Sequence, residues 1–533
     1  MKSPNRIQAV IACAFLLASC SKTPTSEFTG IEITPELRAI MESGRASAFP
    51  PLHPDFWEVA ADLLTPLDPD EDLRVAEAVR LNADPNMTVF SPGRELPGPG
   101  TPVYGSVNRG EAVEDTHFLF DVLRNGYTGY GYFGGDSAFL PARDSVLAAL
   151  EAGEGPIQRK DFLDLLVRAI GSLIADNHFI LYNIRFFALS NAAYISEEIL
   201  MRHTESGLVA EIEGRTYRVL GAELVDGTPV EAIMPTLTKE GEIAWMFGRL
   251  LGHPDRELIA LLEDGQSGER LSRRVSLSRM EGPQFGGVPM LGIREEVGVT
   301  VLENRTLVGG WKDAEERSRT YAEFYRAGQE LRNRPVLILD LRGHRGGFQN
   351  AIHEWTRGYT GIGPSDNAAF LPFVLATRTA EELGADVPDD PNYTDNLNYS
   401  VQSNRWLEDP NRRAQWLPPK EWDRSLLPNK NLVVVLIDHH VASAGEIFVG
   451  YLRQLENVLF VGTNTSGTLA TGGVVRTKLP HSRFNLQFGI AELHLRPDLS
   501  QFEGVGLLPD LWVPPGESLE RVLAFIERYG IRR

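Results

Sequence analysis

Cysteine is nearly absent. The chain holds two, Cys13 and Cys20, so the body beyond them has neither a disulfide framework nor a thiolate metal site. Long apolar runs are missing too, which excludes a polytopic membrane protein. Positive charge is in short supply: 52 Lys and Arg face 72 Asp and Glu, a formal charge of −20. So acidic a surface, most of it solvated, repels phosphate backbones and excludes nucleic acid as a main partner. No HExxH, P-loop, EF-hand loop or GxSxG occurs, which disfavours zinc-protease, phosphate-loop, calcium-loop and α/β-hydrolase chemistry. There is no internal repeat and no low-complexity block. What remains is a globular mixture, 42% hydrophobic over 533 residues, enough for a large core in three or four domains.

The N-terminus reads as an address. Lys2 and Arg6 precede an apolar run from Ala9 to Ala18, which ends in Leu17-Ala18-Ser19-Cys20. The run suits a signal peptide and is too short to span a bilayer as a helix. It resembles the bacterial lipoprotein signal, in which cleavage leaves a lipid-modified cysteine first; an ordinary secretion signal is the plainer reading. The resemblance implies a membrane anchor at Cys20 and removal of residues 1–19. It also implies a bacterial cell-envelope location, at the outer membrane facing the periplasm, because Ser21 and not Asp follows the cysteine.

Along the chain, residues 20–105 read as a tether followed by short helices and loops. Residues 106–204 read as a helical cap. Phe162, Leu165, Leu166, Ile170, Leu173 and Ile174 form one apolar stripe over Asp161 to Ala175, which stops at Asp176-Asn177-His178 before a strand from Phe179 to Ile184. Residues 205–300 read as a small β-rich module, PDZ-like or specific to the family, with a helical insert near Ala244 to Leu262. From 301 to 518 helix and strand alternate, which predicts an α/β core with helices packed on a sheet. A Pro/Asp/Asn/Trp-rich insertion at 361–430 suggests a loop-rich cap or lid. A C-terminal helix covers 519–533. Gly129-Tyr130-Gly131-Tyr132-Phe133-Gly134 fits GxGxxG but follows a helical segment, so aromatic packing around a turn is the better reading.

Ser443 follows the apolar strand Leu432 to Ile437 by a short loop and precedes a helix starting near Ala444. That puts a hydroxyl at the positive end of a helix, where a developing oxyanion is favoured. A serine there attacks an acyl carbon if a base takes its proton; a plain N-cap is the commoner role. Asp340-Leu341-Arg342-Gly343-His344-Arg345-Gly346-Gly347 runs from a buried strand into a turn with three glycines. That turn can expose amides as half of an oxyanion hole, with the Ala444 amide as the other half. Asp340 and Arg342 can pair to fix it. For the base, the 11 histidines leave His178, His344, His439 and His440 open, and spacing does not choose the carboxylate that would orient it.

Taken in order, the Asp-Leu-Arg turn with Gly346-Gly347, the Ala442-Ser443-Ala444-Gly445-Glu446 segment and Phe502-Glu503-Gly504-Val505-Gly506-Leu507-Leu508-Pro509-Asp510 resemble the S41 serine peptidases, which include carboxyl-terminal processing proteases and the tricorn core. Ile174-Ala175-Asp176-Asn177-His178-Phe179 resembles that family's acidic-x-His motif. The resemblance implies a ClpP/crotonase-like core sheet, with Ser443 as nucleophile and an oxyanion hole from Gly346 or Gly347 and Ala444. The processing proteases carry a lysine where Val461-Gly462-Thr463-Asn464-Thr465-Ser466-Gly467 is followed here by Thr468, and neither Lys430 nor Lys478 matches it. The tricorn-like branch implies His178 as base and Glu503 as its orienting carboxylate, with Asn177 where that branch has a serine. The implied activity is peptide-bond cleavage through an acyl-enzyme, on a peptide or protein substrate, with no metal or organic cofactor. Two other readings stand beside it: a non-catalytic binding protein on the same fold, and an esterase or amidase using the same serine.

Overall fold

The computed structural model describes residues 33–83, 101–187, 191–252, 256–280, 282, 291–307, 314–347, 349–365, 368–385, 414–419 and 422–531. The signal segment and Cys20 lie outside them, and among the described residues no helix is long and apolar enough to cross a membrane. The fold is mixed α/β.

The centre is a six-stranded sheet in the order Leu291–Glu296, Val299–Asn304, Val336–Asp340, Leu432–Ile437, Val458–Gly462, Leu511–Trp512. The first strand is antiparallel to the second, and the others run parallel. Parallel strands are covered on both faces, which is why Leu432–Ile437 is an unbroken apolar run, buried throughout. Alternate residues face opposite layers. Val433, Val435 and Ile437 pack with Phe324, Trp355 and Phe448 from the helices Ala314–Leu331, Gln349–Thr360 and Ala444–Arg453. Val434 and Leu436 pack with Phe525 and Ile526 of Ser518–Arg528 and with Leu37 and Met41 of Pro35–Ala48.

A second sheet runs Gln415–Leu417, Leu371–Ala376, Asn485–Leu495, Ile180–Leu181, Ile184–Arg185, with Thr471–Lys478 also paired to Asn485–Leu495. One face closes over the helices Arg109–Gly126, Gly135–Glu151 and Arg159–Ile170, burying Phe179, Leu181, Leu486 and Phe488 against Leu119, Phe139 and Phe162. The expected strand from Phe179 to Ile184 is instead a two-strand hairpin, because the chain turns at Tyr182, whose φ is 56°. Ile180 pairs with Gln487, which carries the His178 segment to the far end of the chain. The 361–430 insertion is not simply a loop-rich cap: its described part supplies two strands of this sheet and the helix Arg378–Ala385.

The β-rich module runs from Ala192 to Arg279, earlier than the expected 205–300. Its strands follow the order Arg270–Ser276, Glu257–Asp264, Arg215–Glu223, Gly207–Ile212, Ala192–Thr204, Ile243–Leu251, Ile233–Leu237. Ser278 and Arg279 pair back onto Ile195 and Tyr194, which closes a small barrel. The expected helical insert at Ala244 to Leu262 is two strands, Ile243–Leu251 and Glu257–Asp264. Good helix formers misled the reading there. Pairing on both sides overrides propensity, and Leu258, Ala260 and Leu262 alternate into the barrel core. Residues 291–304, expected in this module, belong to the central sheet.

At the carboxyl end of the central strands sits a buried ion cluster. Arg305 Nη1 and Nη2 donate to Asp340 Oδ1 and Oδ2 at 2.6 and 2.7 Å. Arg342 Nε and Nη2 donate to the same two oxygens at 2.8 and 2.6 Å. Arg305 Nη1 also reaches the Arg342 carbonyl at 2.7 Å, so one carboxylate fixes the start of the glycine turn. The two guanidiniums outweigh burial and hold the Asp340 carboxyl down at about 2. Asp340→Asn takes from two buried cations the carboxylate they share, and we expect a loss of about 3–5 kcal/mol in urea unfolding. The stabilisation from Asp340 is complete above the ordinary carboxylate value of about 3.9. It is lost as pH falls toward about 2, so the difference between wild type and D340N should shrink over that window.

Candidate active site

Ser443 leaves the strand Leu432–Ile437 through a turn that Asp438 ties to the neighbouring strand end: Asp438 Oδ1 accepts from Gly343 N at 2.9 Å and from His440 N at 3.0 Å. The backbone of Ser443 is strained, with φ 54° and ψ −125°, a region that costs a non-glycine residue about 1–3 kcal/mol. What holds it is main-chain bonding on both sides. Its N–H donates to Thr468 O at 3.1 Å and to Glu446 Oε2 at 3.2 Å, and its carbonyl accepts from Glu446 N at 2.8 Å as the helix begins. Ser443 itself is half-buried.

The glycine turn lies against this serine. A Cβ on Gly346, whose φ is +92°, would come within 2.9 Å of Ser443 Cβ and 3.0 Å of Ala442 O, so a side chain there would push the serine away. Gly347, at φ +134°, passes so close to Leu307 that a Cβ would lie 2.4 Å from its carbonyl carbon. The Gly346 amide is taken by its own loop, donating to His344 Nδ1 at 3.1 Å. The Gly347 and Ala444 amides make no hydrogen bond among the described residues. Of the anticipated oxyanion donors, Gly347 and Ala444 have free N–H groups, and Gly346 supplies the clearance.

The four histidines now separate. His344 is buried and held down at about 4 by desolvation. Its Nδ1 lone pair is occupied by Gly346, so in the neutral ring Nε2 carries the proton and no acceptor is left. His439 and His440 stack on each other, ring centroids 4.0 Å apart. His178 is buried, and its Nδ1 has no hydrogen-bond partner. Desolvation lowers its pKa against the opposing pull of Asp176 and the Thr471 main chain, which favours the neutral ring.

The structure records no hydrogen bond between Ser443 and His178, nor between His178 and Glu503. What links them is the intervening chain. Asn177 Nδ2 donates to Gly467 O at 3.1 Å and Thr468 Oγ1 at 3.2 Å, beside the carbonyl that receives the Ser443 amide. Glu503 accepts from Asn177 N at 2.9 Å, Leu469 N at 3.1 Å and Ala470 N at 2.9 Å. Burial and Asp176 push its pKa up, partly offset by those amides. The carboxylate bonded to the His178 residue is Asp176: its Oδ1 accepts from His178 N at 2.8 Å, and its Oδ2 from Tyr127 Oη and Thr471 Oγ1, each at 2.8 Å. Asp176-x-His178 is an Asx turn, a local signal that was readable in advance.

Glu446 is the other residue the sequence reading passed over. It is fully buried and accepts from Thr465 Oγ1 at 2.5 Å, Thr468 N at 2.7 Å, Gly467 N at 2.8 Å and Ser443 N at 3.2 Å. It thereby joins the start of the serine helix to the 465–468 loop. Ser-x-x-Glu, the capping-box pattern, was its signal. Burial drives its pKa up to about 7 against those four donors. Ionising Glu446 therefore costs stability as pH rises from its ordinary value to about 7. Glu446→Gln keeps one acceptor oxygen and turns an NH2 toward main-chain donors. We expect a loss of about 1–3 kcal/mol by urea unfolding, with that pH dependence removed.

Residues 381–513 match peptidase family S41. No curated protein matches the chain. Among solved structures, mature CPAF complexed with lactacystin is 16% identical, with 79% of this chain and 97% of that one covered at a TM-score of 0.36. The photosystem II D1 C-terminal processing protease is 14% identical, with 78% and 97% covered at a TM-score of 0.34. The tricorn protease is 12% identical, with 80% of this chain and 37% of that one covered at 0.31. The segment similar to peptidase family S41, residues 381–513, includes Ser443, Thr468 and Glu503.

Proposed function

We propose that the protein is a serine endopeptidase of the bacterial cell envelope, with Ser443 as its nucleophile. The observation that carries this is Ser443 itself: a strained serine at a strand-to-helix junction, packed against Gly346 and beside the free amides of Gly347 and Ala444. Strain of this kind is kept where the surroundings over-determine it, as at reactive centres. Ser443 Oγ attacks the scissile carbonyl as His178 Nδ1 takes its proton. The Gly347 and Ala444 amides receive the oxyanion. His178 then passes the proton to the leaving amine, and water releases the acyl group. The Asn177 clamp on Gly467 and Thr468 keeps His178 next to the serine loop, and the separation closes when substrate fills the site, as catalytic hydrogen bonds do on complex formation. Glu503 orients His178 through the main chain of Asn177.

A second reading is supported by Thr468 in place of the lysine and by the open Ser443–His178 pair: a binding protein that keeps the fold without the chemistry. A fluorophosphonate probe decides between them. We expect labelling of the wild type that disappears in Ser443→Ala; a folded wild type that stays unlabelled beside a reactive control hydrolase favours the binder. His178→Ala should lower kcat/KM on a peptide substrate by about 10²–10⁴. Because burial lowers the His178 pKa, the acid limb of the wild-type profile should fall below the ordinary histidine value of about 6.5. Membrane attachment rests on the N-terminal signal. Metabolic labelling with a fatty-acid analogue should tag the wild type and not Cys20→Ser.

A further inference from the structure

Four strands of the second sheet place one row of residues side by side. Arg476 pairs with Gln487, Gln487 with Ile180, and Ile180 with Arg185. Residues directly opposite one another share a face of a sheet. The neighbouring positions Val475, Leu486, Leu181 and Phe179 enter the apolar cluster of the helical domain, so the row looks the other way. His178, two residues before Ile180, belongs to the same alternation. The link to the site is direct: Arg476 Nε donates to Gln487 Oε1 at 2.9 Å, and Gln487 Nε2 donates to the His178 carbonyl at 3.1 Å.

The two arginines end this row on one face of the sheet, and among the described residues neither is ion-paired to a carboxylate. Arg185 is exposed and makes no hydrogen bond or ion pair among the described residues. Arg476 is half-buried, and burial and then the charge of Arg185 depress its pKa. In a chain with a formal charge of −20, two cations set together beside a candidate catalytic histidine are a local reversal of sign. Their strand spacing of about 4.8 Å per step puts the two backbones about 14 Å apart, and two extended guanidinium side chains can close on one small anion from opposite sides. Among the described residues Ile184–Arg185 is the last strand on its side of the sheet, so an extended chain can lie along it.

We propose that Arg185 and Arg476 form a carboxylate-binding subsite beside the Ser443 centre, and that the substrates are peptides carrying a carboxylate near the scissile bond. This rests on the reading of Ser443 as the reactive centre. The overall negative field opposes acidic peptides in general, so the pair selects by where the carboxylate falls as well as by charge.

The test separates recognition from chemistry by measuring binding to the full-length Ser443→Ala protein. Three fluorescent peptides of one length are compared by polarisation: one with a central glutamate and an amidated end, its glutamine counterpart, and the glutamine peptide with a free C-terminal carboxylate. Tighter binding of the glutamate peptide assigns the subsite to a side-chain carboxylate, and tighter binding of the free-acid peptide assigns it to a chain end. Either preference should weaken as ionic strength rises. It should fall about two- to fivefold with Arg185→Ser, disappear with Arg185→Glu and survive in Arg185→Lys. Arg185 is exposed, so these variants should fold. Equal binding of all three peptides, no binding, or a preference unmoved by the Arg185 variants overturns the proposal. Fluorophosphonate labelling of the wild type is read separately: a carboxylate preference without labelling keeps the subsite and removes the hydrolytic reading.

Discussion

A single buried carboxylate gathers the pieces of chain that matter. Glu446 takes hydrogen bonds from Ser443, Thr465, Gly467 and Thr468, so the first turn of one helix and a loop some twenty residues later share one acceptor. Without that acceptor the inward amides of the loop would be left unpaired in the interior, which proteins rarely tolerate. The loop in turn receives Asn177 and, through Glu503, the Asn177 amide. The position of the histidine segment is thus set by contacts to the loop, and the position of the loop by Glu446. Asp340 plays the same part on the opposite wall, where two guanidiniums lock the glycine turn that lies against the serine.

The parts of this arrangement that were legible from sequence share a property: each announces itself locally. Strands buried on both faces, such as Leu432–Ile437, have one apolar reading. Gly346 and Gly347 mark a backbone that must come close to something, and Ser443 sits where a strand, a short loop and a helix leave a hydroxyl at the helix start. The parts that were not legible depend on what distant chain supplies. Glu257–Asp264 contains good helix formers and becomes a strand because neighbours pair with both its edges. Glu446 and Asp176 look like ordinary caps until the 465–471 segment is brought against them. That Glu503 bonds main-chain amides, while His178 is left with an open nitrogen, is a matter of side-chain direction, which spacing does not encode.

The two walls also divide the chemistry. On one side lie main-chain donors positioned by strain and by glycine, which need no proton transfer to act. On the other lies a neutral imidazole in a dry setting with its acceptor nitrogen open. Between them Thr468 and Asn177 provide neutral polar contacts.

The barrel leaves and rejoins the chain at nearly one point, since Met280 N bonds back to Ala193 O at 2.9 Å. Most of its strand pairs join segments near in sequence. The candidate site is the opposite case: the Asn177–Gly467 bond alone spans 290 positions. A partly folded chain possesses the Ser443 hydroxyl but not its surroundings, which exist only once these long-range contacts have closed.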